Sequence, residues 1–144
     1  NSNVRPILTR ESSVGFIMAT GVVGQSLKGT QGIYLSIDAG NTWRQVLSRN
    51  YLYAFGDFGA IIVAIAHYSR GGVTNELFYS IDDGESFSVL QFSKEKIRVY
   101  GLLSEPGEKT TVFTIFGSKE KSHEWIVIQV IAFLMCVCVG HLFF

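Results

Sequence analysis

Only 2 of the 144 residues are proline and only 2 are cysteine, and both cysteines, Cys136 and Cys138, lie near the C-terminal end. The body of the chain therefore has no disulfide framework and no cysteine-based metal site. Charge of either sign is not in excess, since 12 Lys and Arg face 12 Asp and Glu. Nucleic acid as a partner is excluded on that ground, because it calls for clustered basic residues. No Asn-x-Ser/Thr sequon occurs, and no segment before residue 126 repeats its apolar residues at the helical period. The opening "NSNVRPILTR" has neither an initiator Met nor a signal peptide, so the chain is expected to be part of something longer.

What is present is 15 Gly, 11 Phe, 6 Tyr and many β-branched residues, arranged in short runs between Gly, Asp, Asn and Ser clusters. These runs predict strands at 15–20, 32–37, 42–47, 51–55, 60–67, 76–81, 86–92, 98–103, 110–116 and 125–131. "AIIVAIA" at 60–66 is continuously apolar, which suits a strand buried on both faces. "SFSVLQF" at 86–92 alternates, which suits a strand with one wet face. The fold class is all-β.

One formula occurs twice. "YLSIDAGNTW" places Ser36, Asp38, Gly40, Thr42 and Trp43, and "FYSIDDGESF" places Ser80, Asp82, Gly84, Ser86 and Phe87 at the same spacing, 44 residues on. Four strands and their turns take roughly 40–50 residues, so the interval is one propeller blade. No third copy stands around Ser122–Trp125, and about two and a half four-stranded blades are expected. The formula itself is turn chemistry. The aspartates accept backbone N–H groups, the glycines supply a positive φ, and the hydroxyls bond locally. Trp43 and Phe87 are expected between neighbouring blades. The ten residues are read as fasteners, with no catalytic or metal role.

With those residues in place the formula resembles the Asp-box of β-propeller families. "GDFGAIIVAIA", "VYGLLSEPGEKTTVFTIFGS" and "HEWIVIQV" further resemble the last blades of the Vps10 (sortilin-type) receptors. The likeness covers about 14–130. It implies a ten-bladed lumenal propeller in a type I membrane receptor. Such receptors move protein, peptide and propeptide ligands between Golgi, cell surface and endosomes, binding them through the complete ring and without a cofactor. Two other function classes share the Asp-box: a propeller scaffold without transport, and a sialidase-like hydrolase. The hydrolase needs clustered arginines and an Arg-Ile-Pro signature, which Arg5, Arg10, Arg44, Arg49, Arg70 and Arg98 do not provide. Arg44 and Arg49 read as residues of a solvated blade edge.

Domains are drawn at 1–130, the propeller part, and 131–144, an apolar tail unrelated to the family. From Ile126 to Phe144 no residue is charged, and three readings stand: a prematurely ended or mis-spliced reading frame, a membrane segment over 126–144, where 19 helical residues would span about 28 Å, or a buried strand or helix. Apolar faces are expected open at the two outer blades, through Val22, Val23 and Ile33 on one side and Val112, Ile115 and Ile128 on the other. His67, His123 and His141 are scattered without a second ligand, Cys136-x-Cys138 has the wrong gap for a redox or zinc pair, and Asp82, Asp83 and Glu85 read as a solvated turn.

Overall fold

The computed structural model describes residues 7–9, 11–24, 29–49, 51–68, 72–122, 124–133 and 136–143, with the backbone alone at 133 and 136–143. Among the described residues twelve strands form three four-stranded antiparallel sheets in chain order, the arrangement of successive propeller blades. Blade 1 holds β1 (Leu8–Thr9), β2 (Ile17–Gly21), β3 (Gly32–Ser36) and β4 (Arg44–Leu47). Blade 2 holds β5 (Tyr51–Gly56), β6 (Ile61–Ala66), β7 (Glu76–Ser80) and β8 (Ser88–Gln91). Blade 3 holds β9 (Ile97–Ser104), β10 (Val112–Lys119), β11 (Trp125–Phe133) and β12 (Cys136–Phe143).

The blade count is therefore three rather than two and a half, and the difference lies at the ends. β1 is too short to show a strand pattern. β12 comes from the tail that apolarity alone would allow to be a helix. Instead, β12 pairs with β11 over eight residues, from Ile126 opposite Phe143 to Phe133 opposite Cys136. Val137, Val139 and the cysteines have poor helix propensity, and a waiting edge of β11 offers the hydrogen bonds that a helix would supply internally. The described residues of this stretch, 126–133 and 136–143, are strand and not helix. Among the described residues no helix is long and apolar enough to cross a membrane.

β6 sits in the middle of everything. Its run Ile61–Ile65 is buried throughout, and Ile62, Ala64 and Ile65 are fully inaccessible. Strand side chains alternate faces, and here both faces are dry. Ile61, Val63 and Ile65 join Leu52, Phe113 and Ile128 in the core between blades 2 and 3. Ile62 joins Met18, Ile33, Leu35 and Phe55 in the core between blades 1 and 2. This corrects the expectation of open ends: Ile33, Ile115 and Ile128 are buried, because each lies on the face of its strand turned toward blade 2. Val23 does remain exposed.

Backbone hydrogen bonds stitch blades 2 and 3 at two places. The 3-10 turn Asp57–Gly59 that links β5 to β6 donates from Asp57 N to Thr110 O and from Phe58 N to Glu108 O, both at 3.0 Å. Thr74 and Ile97 exchange two bonds of 2.9 Å. Gly56 permits this approach, since a Cβ there would stand 2.6 Å from the Phe113 ring and 2.9 Å from Thr110 O.

Truncating Ile65 to Ala should therefore cost about 2–5 kcal/mol of stability, the range for an aliphatic side chain lost from a packed core. Truncating the exposed Val89 of β8 should change it by less than about 0.5 kcal/mol. Urea unfolding of the two variants checks both values.

Candidate functional site: paired Asp-box turns

The two copies of the formula occupy the same place in their blades, the turn from third to fourth strand: β3 to β4 in blade 1 and β7 to β8 in blade 2. Each turn is built around a buried serine. Ser36 Oγ donates to Asp38 Oδ1 at 2.8 Å and accepts from Gly40 N at 2.8 Å. Ser80 Oγ does the same with Asp82 Oδ1 at 2.7 Å and Gly84 N at 2.8 Å. The aspartate then reaches forward. Asp38 accepts from Thr42 N at 2.8 Å and from Thr42 Oγ1 at 2.6 Å. Asp82 accepts from Ser86 N at 3.0 Å and from Ser86 Oγ at 2.5 Å. One carboxylate thus ties the end of one strand to the start of the next.

Positive φ is found at Gly40 and Gly84, and also at the residue before each, Ala39 and Asp83. Gly84 has a second constraint. A Cβ there would lie 2.7 Å from Leu35 Cδ2, so the second turn closes directly over the side of blade 1. The aromatics differ. Phe87 packs against the core between blades 1 and 2. Trp43 departs from the expected placement: it is 45% exposed, and its indole N–H donates to Gly40 O of its own turn at 2.9 Å.

Arg44 contradicts its reading as a solvated edge residue. Its guanidinium donates to Gly84 O at 3.0 Å and to Asp83 O, and lies 3.3 Å from the Glu85 carboxylate. The residue after the first Asp-box thereby clasps the second, joining blade 1 to blade 2. No sequence signal announces this. The position one interval on is Ser88, so the repeat itself argues against a special role. Only the stacking of the blades brings the two turns together.

The carboxylates of both aspartates are held at about 2, below their ordinary 3.8. The leading cause is the hydroxyl of Thr42 or Ser86, followed by the backbone N–H of the same residue. Both carboxylate oxygens of Asp38 and of Asp82 accept hydrogen bonds from within their own turn. Among the described residues no three His, Cys, Asp or Glu come together as a metal site would require. His67 is half-buried after β6, His123 lies outside the described residues, and His141, Cys136 and Cys138 are placed only by their backbone in β12. Elsewhere a cavity of about 370 Å³ opens between the loop after β8 and blade 3. Its floor is Ile97, Ile126 and Ile128, with Lys94, Glu95 and Lys119 at the rim. Lys119 Nζ lies 2.6 Å from Glu124 Oε2.

Two outcomes follow from this geometry. Replacing Ser80 by Ala strands the N–H of buried Gly84 and should cost about 1–3 kcal/mol, measured by thermal unfolding. Because the folded aspartates have depressed pKa values, their contribution is complete above about pH 4 and is lost as pH falls through about 2. The double variant Asp38→Asn, Asp82→Asn should flatten the acid limb of stability against pH, leaving the smaller slope of Glu124, whose carboxyl is also lowered by Lys119.

Comparison with known proteins places these turns in a family. A family model described as "Sortilin, neurotensin receptor 3" matches residues 1–102, more than half of the chain. The chain is 51% identical over 126 residues to the Sortilin-related receptor of Oryctolagus cuniculus, and equally to those of Mus musculus and Homo sapiens. The match covers 87% of this chain and 6% of each relative's length. It is 34% identical over 125 residues to the human VPS10 domain-containing receptor SorCS1, covering 86% of this chain and 10% of that protein. The Vacuolar protein sorting/targeting protein 10 of Phaeosphaeria nodorum is 35% identical over 120 residues, 81% of this chain and 8% of its own length. The chain thus spans only about a tenth or less of the curated relatives it matches, and it belongs to the Sortilin–Vps10 family of sorting receptors.

Proposed function

We propose that these three blades belong to the lumenal, ligand-binding propeller of a membrane-anchored sorting receptor. Its ligands are proteins, peptides and propeptides, carried between Golgi, cell surface and endosomes. The observation that carries this reading is the breadth of the likeness: 51% identity runs over 87% of the chain, far beyond the two turns whose chemistry dictates their residues. The blades supply the scaffold for such a ring, with apolar layers that pass from one blade to the next. Binding is assigned to the complete ring, not to any one blade.

Within that reading Ser36, Asp38, Gly40, Thr42 and Trp43, with Ser80, Asp82, Gly84, Ser86 and Phe87, act as fasteners. No catalysis, cofactor or metal is assigned to them. The division at residue 130, with 131–144 as a segment unrelated to the family propeller, belongs to the same proposal. The tail's partner is then the blade it completes.

Grafting the chain in place of the matching segment of the human Sortilin-related receptor tests this. The chimera should reach the cell surface and capture a propeptide ligand. Asp82→Ala in that chimera should lower the amount that reaches the surface and leave the Kd of the surviving receptor unchanged. A chimera that reaches the surface but captures no ligand, or an Asp82→Ala variant that is fully stable yet binding-dead, contradicts the proposal.

A further inference from the structure

Asp83 is followed by Gly84, and nowhere else in the chain does a glycine follow an aspartate or an asparagine. That dipeptide has a chemistry of its own. No Cβ crowds a glycine N–H, so the nitrogen can attack the side-chain carboxyl of the residue before it. Gly84 N would bond to Asp83 Cγ, and one carboxyl oxygen would leave as water, taking the amide hydrogen and a proton from solvent. Water then reopens the cyclic imide at either carbonyl. Opening on the Cα side routes the main chain through Cβ and Cγ and leaves a carboxylate on Cα, which is isoaspartate. One water leaves and one enters, so neither an oxidant nor a reductant is needed.

The second Asp-box obstructs each part of that step. Asp83 is exposed, but Gly84 is buried. The hydrogen that Gly84 N must lose is donated to Ser80 Oγ at 2.8 Å, in a buried bond. Turning the nitrogen onto Asp83 Cγ requires rotation of the 83–84 peptide, and the Asp83 carbonyl of that peptide is held by the Arg44 guanidinium. The same guanidinium holds the next carbonyl, Gly84 O, at 3.0 Å. Leu35 closes on Gly84 from blade 1, its Cδ2 2.7 Å from where a Cβ would stand. The first Asp-box has the matching Gly40 N to Ser36 Oγ bond at 2.8 Å and the matching positive φ, but Ala39 stands where Asp83 would and has no carboxyl to react.

We propose that Asp83 is a modification site, converted to isoaspartate when the β7–β8 turn opens and kept latent in the closed turn by Ser80 and Arg44. The product does not fit the closed turn, because the extra main-chain carbon displaces the carbonyl that Arg44 holds. A transient opening thereby becomes a lasting loss of the contact between blades 1 and 2. The site is a property of the chain itself and is independent of the sorting-receptor reading.

The test compares the folded 144-residue chain with the same chain in denaturing urea, both incubated at neutral pH and physiological temperature. Asp83 is read in the tryptic peptide 71–94 by electron-transfer fragmentation, which separates aspartate from isoaspartate. In urea Asp83 should convert, and in the folded chain conversion should be about tenfold slower or more. Ser80→Ala should convert about fivefold faster than the unaltered folded chain, because the bond on Gly84 N is gone. Ser36→Ala removes the same bond from the blade 1 turn and should stay near the unaltered rate. In urea all three chains should convert alike. The comparison of folded with unfolded chain needs no variant. A folded chain that converts as fast as the unfolded one, no isoaspartate at Asp83 in urea, Ser80→Ala no faster than the unaltered chain, or Ser36→Ala as fast as Ser80→Ala overturns the proposal.

Discussion

A strand that is apolar on both faces has one stable environment, between two other layers. β6 is such a strand, and the rest of the structure is arranged to provide those layers. Removing a large aliphatic side chain from water contributes about 1.5–3 kcal/mol. β6 gathers that gain on two sides, with Ile61, Val63 and Ile65 toward blade 3 and Ile62 toward blade 1. Blades 1 and 3 each bury one face against blade 2, so neither face of β6 is left wet. Small residues set the spacing. Gly56 lets Phe113 and Thr110 O approach, and Gly84 lets Leu35 approach.

Burial is non-directional and does not by itself choose where each sheet turns. The Asp-boxes supply that direction. Ser36 and Ser80 each present one hydroxyl to an aspartate and a glycine N–H, so strand ends are fixed to within a hydrogen bond. The turns sit at equivalent corners of adjacent blades, which brings Arg44 of the first over the carbonyls of the second. A motif closed within its own hairpin thus becomes part of a contact between hairpins. This is the sense in which the formula serves the array as well as the blade.

How much of this was readable in the residues depended on whether the governing interaction was local. The Asp-box is complete within eight residues, so its turn and the role of Asp82 could be reasoned from spacing and side-chain chemistry. The dryness of Ile61–Ile65 was equally plain, because five apolar residues in a row cannot alternate. Three features were hidden. β1 pairs only two residues, Leu8 and Thr9, and leaves no pattern. Arg44 owes its role to a turn 40 residues away, which no local rule reports. The tail was ambiguous because an uncharged run satisfies helix and strand equally, and only the open edge of β11 decides between them. Gly15 and Gly59, 44 residues apart and both at positive φ, were a usable signal for the start of blade 1 that the pattern of strands overlooked.

The central claim is that burial of β6 on both faces orders all three blades as one unit. Native-state hydrogen exchange at increasing denaturant tests it most directly. The account predicts that amides of Ile62–Ile65 are the slowest in the chain and exchange only with global unfolding, with β2–β3 and β9–β11 joining the same unfolding event. Exchange of β6 at the rate of the exposed strand β8, or opening of one outer blade while β6 stays protected, would contradict it.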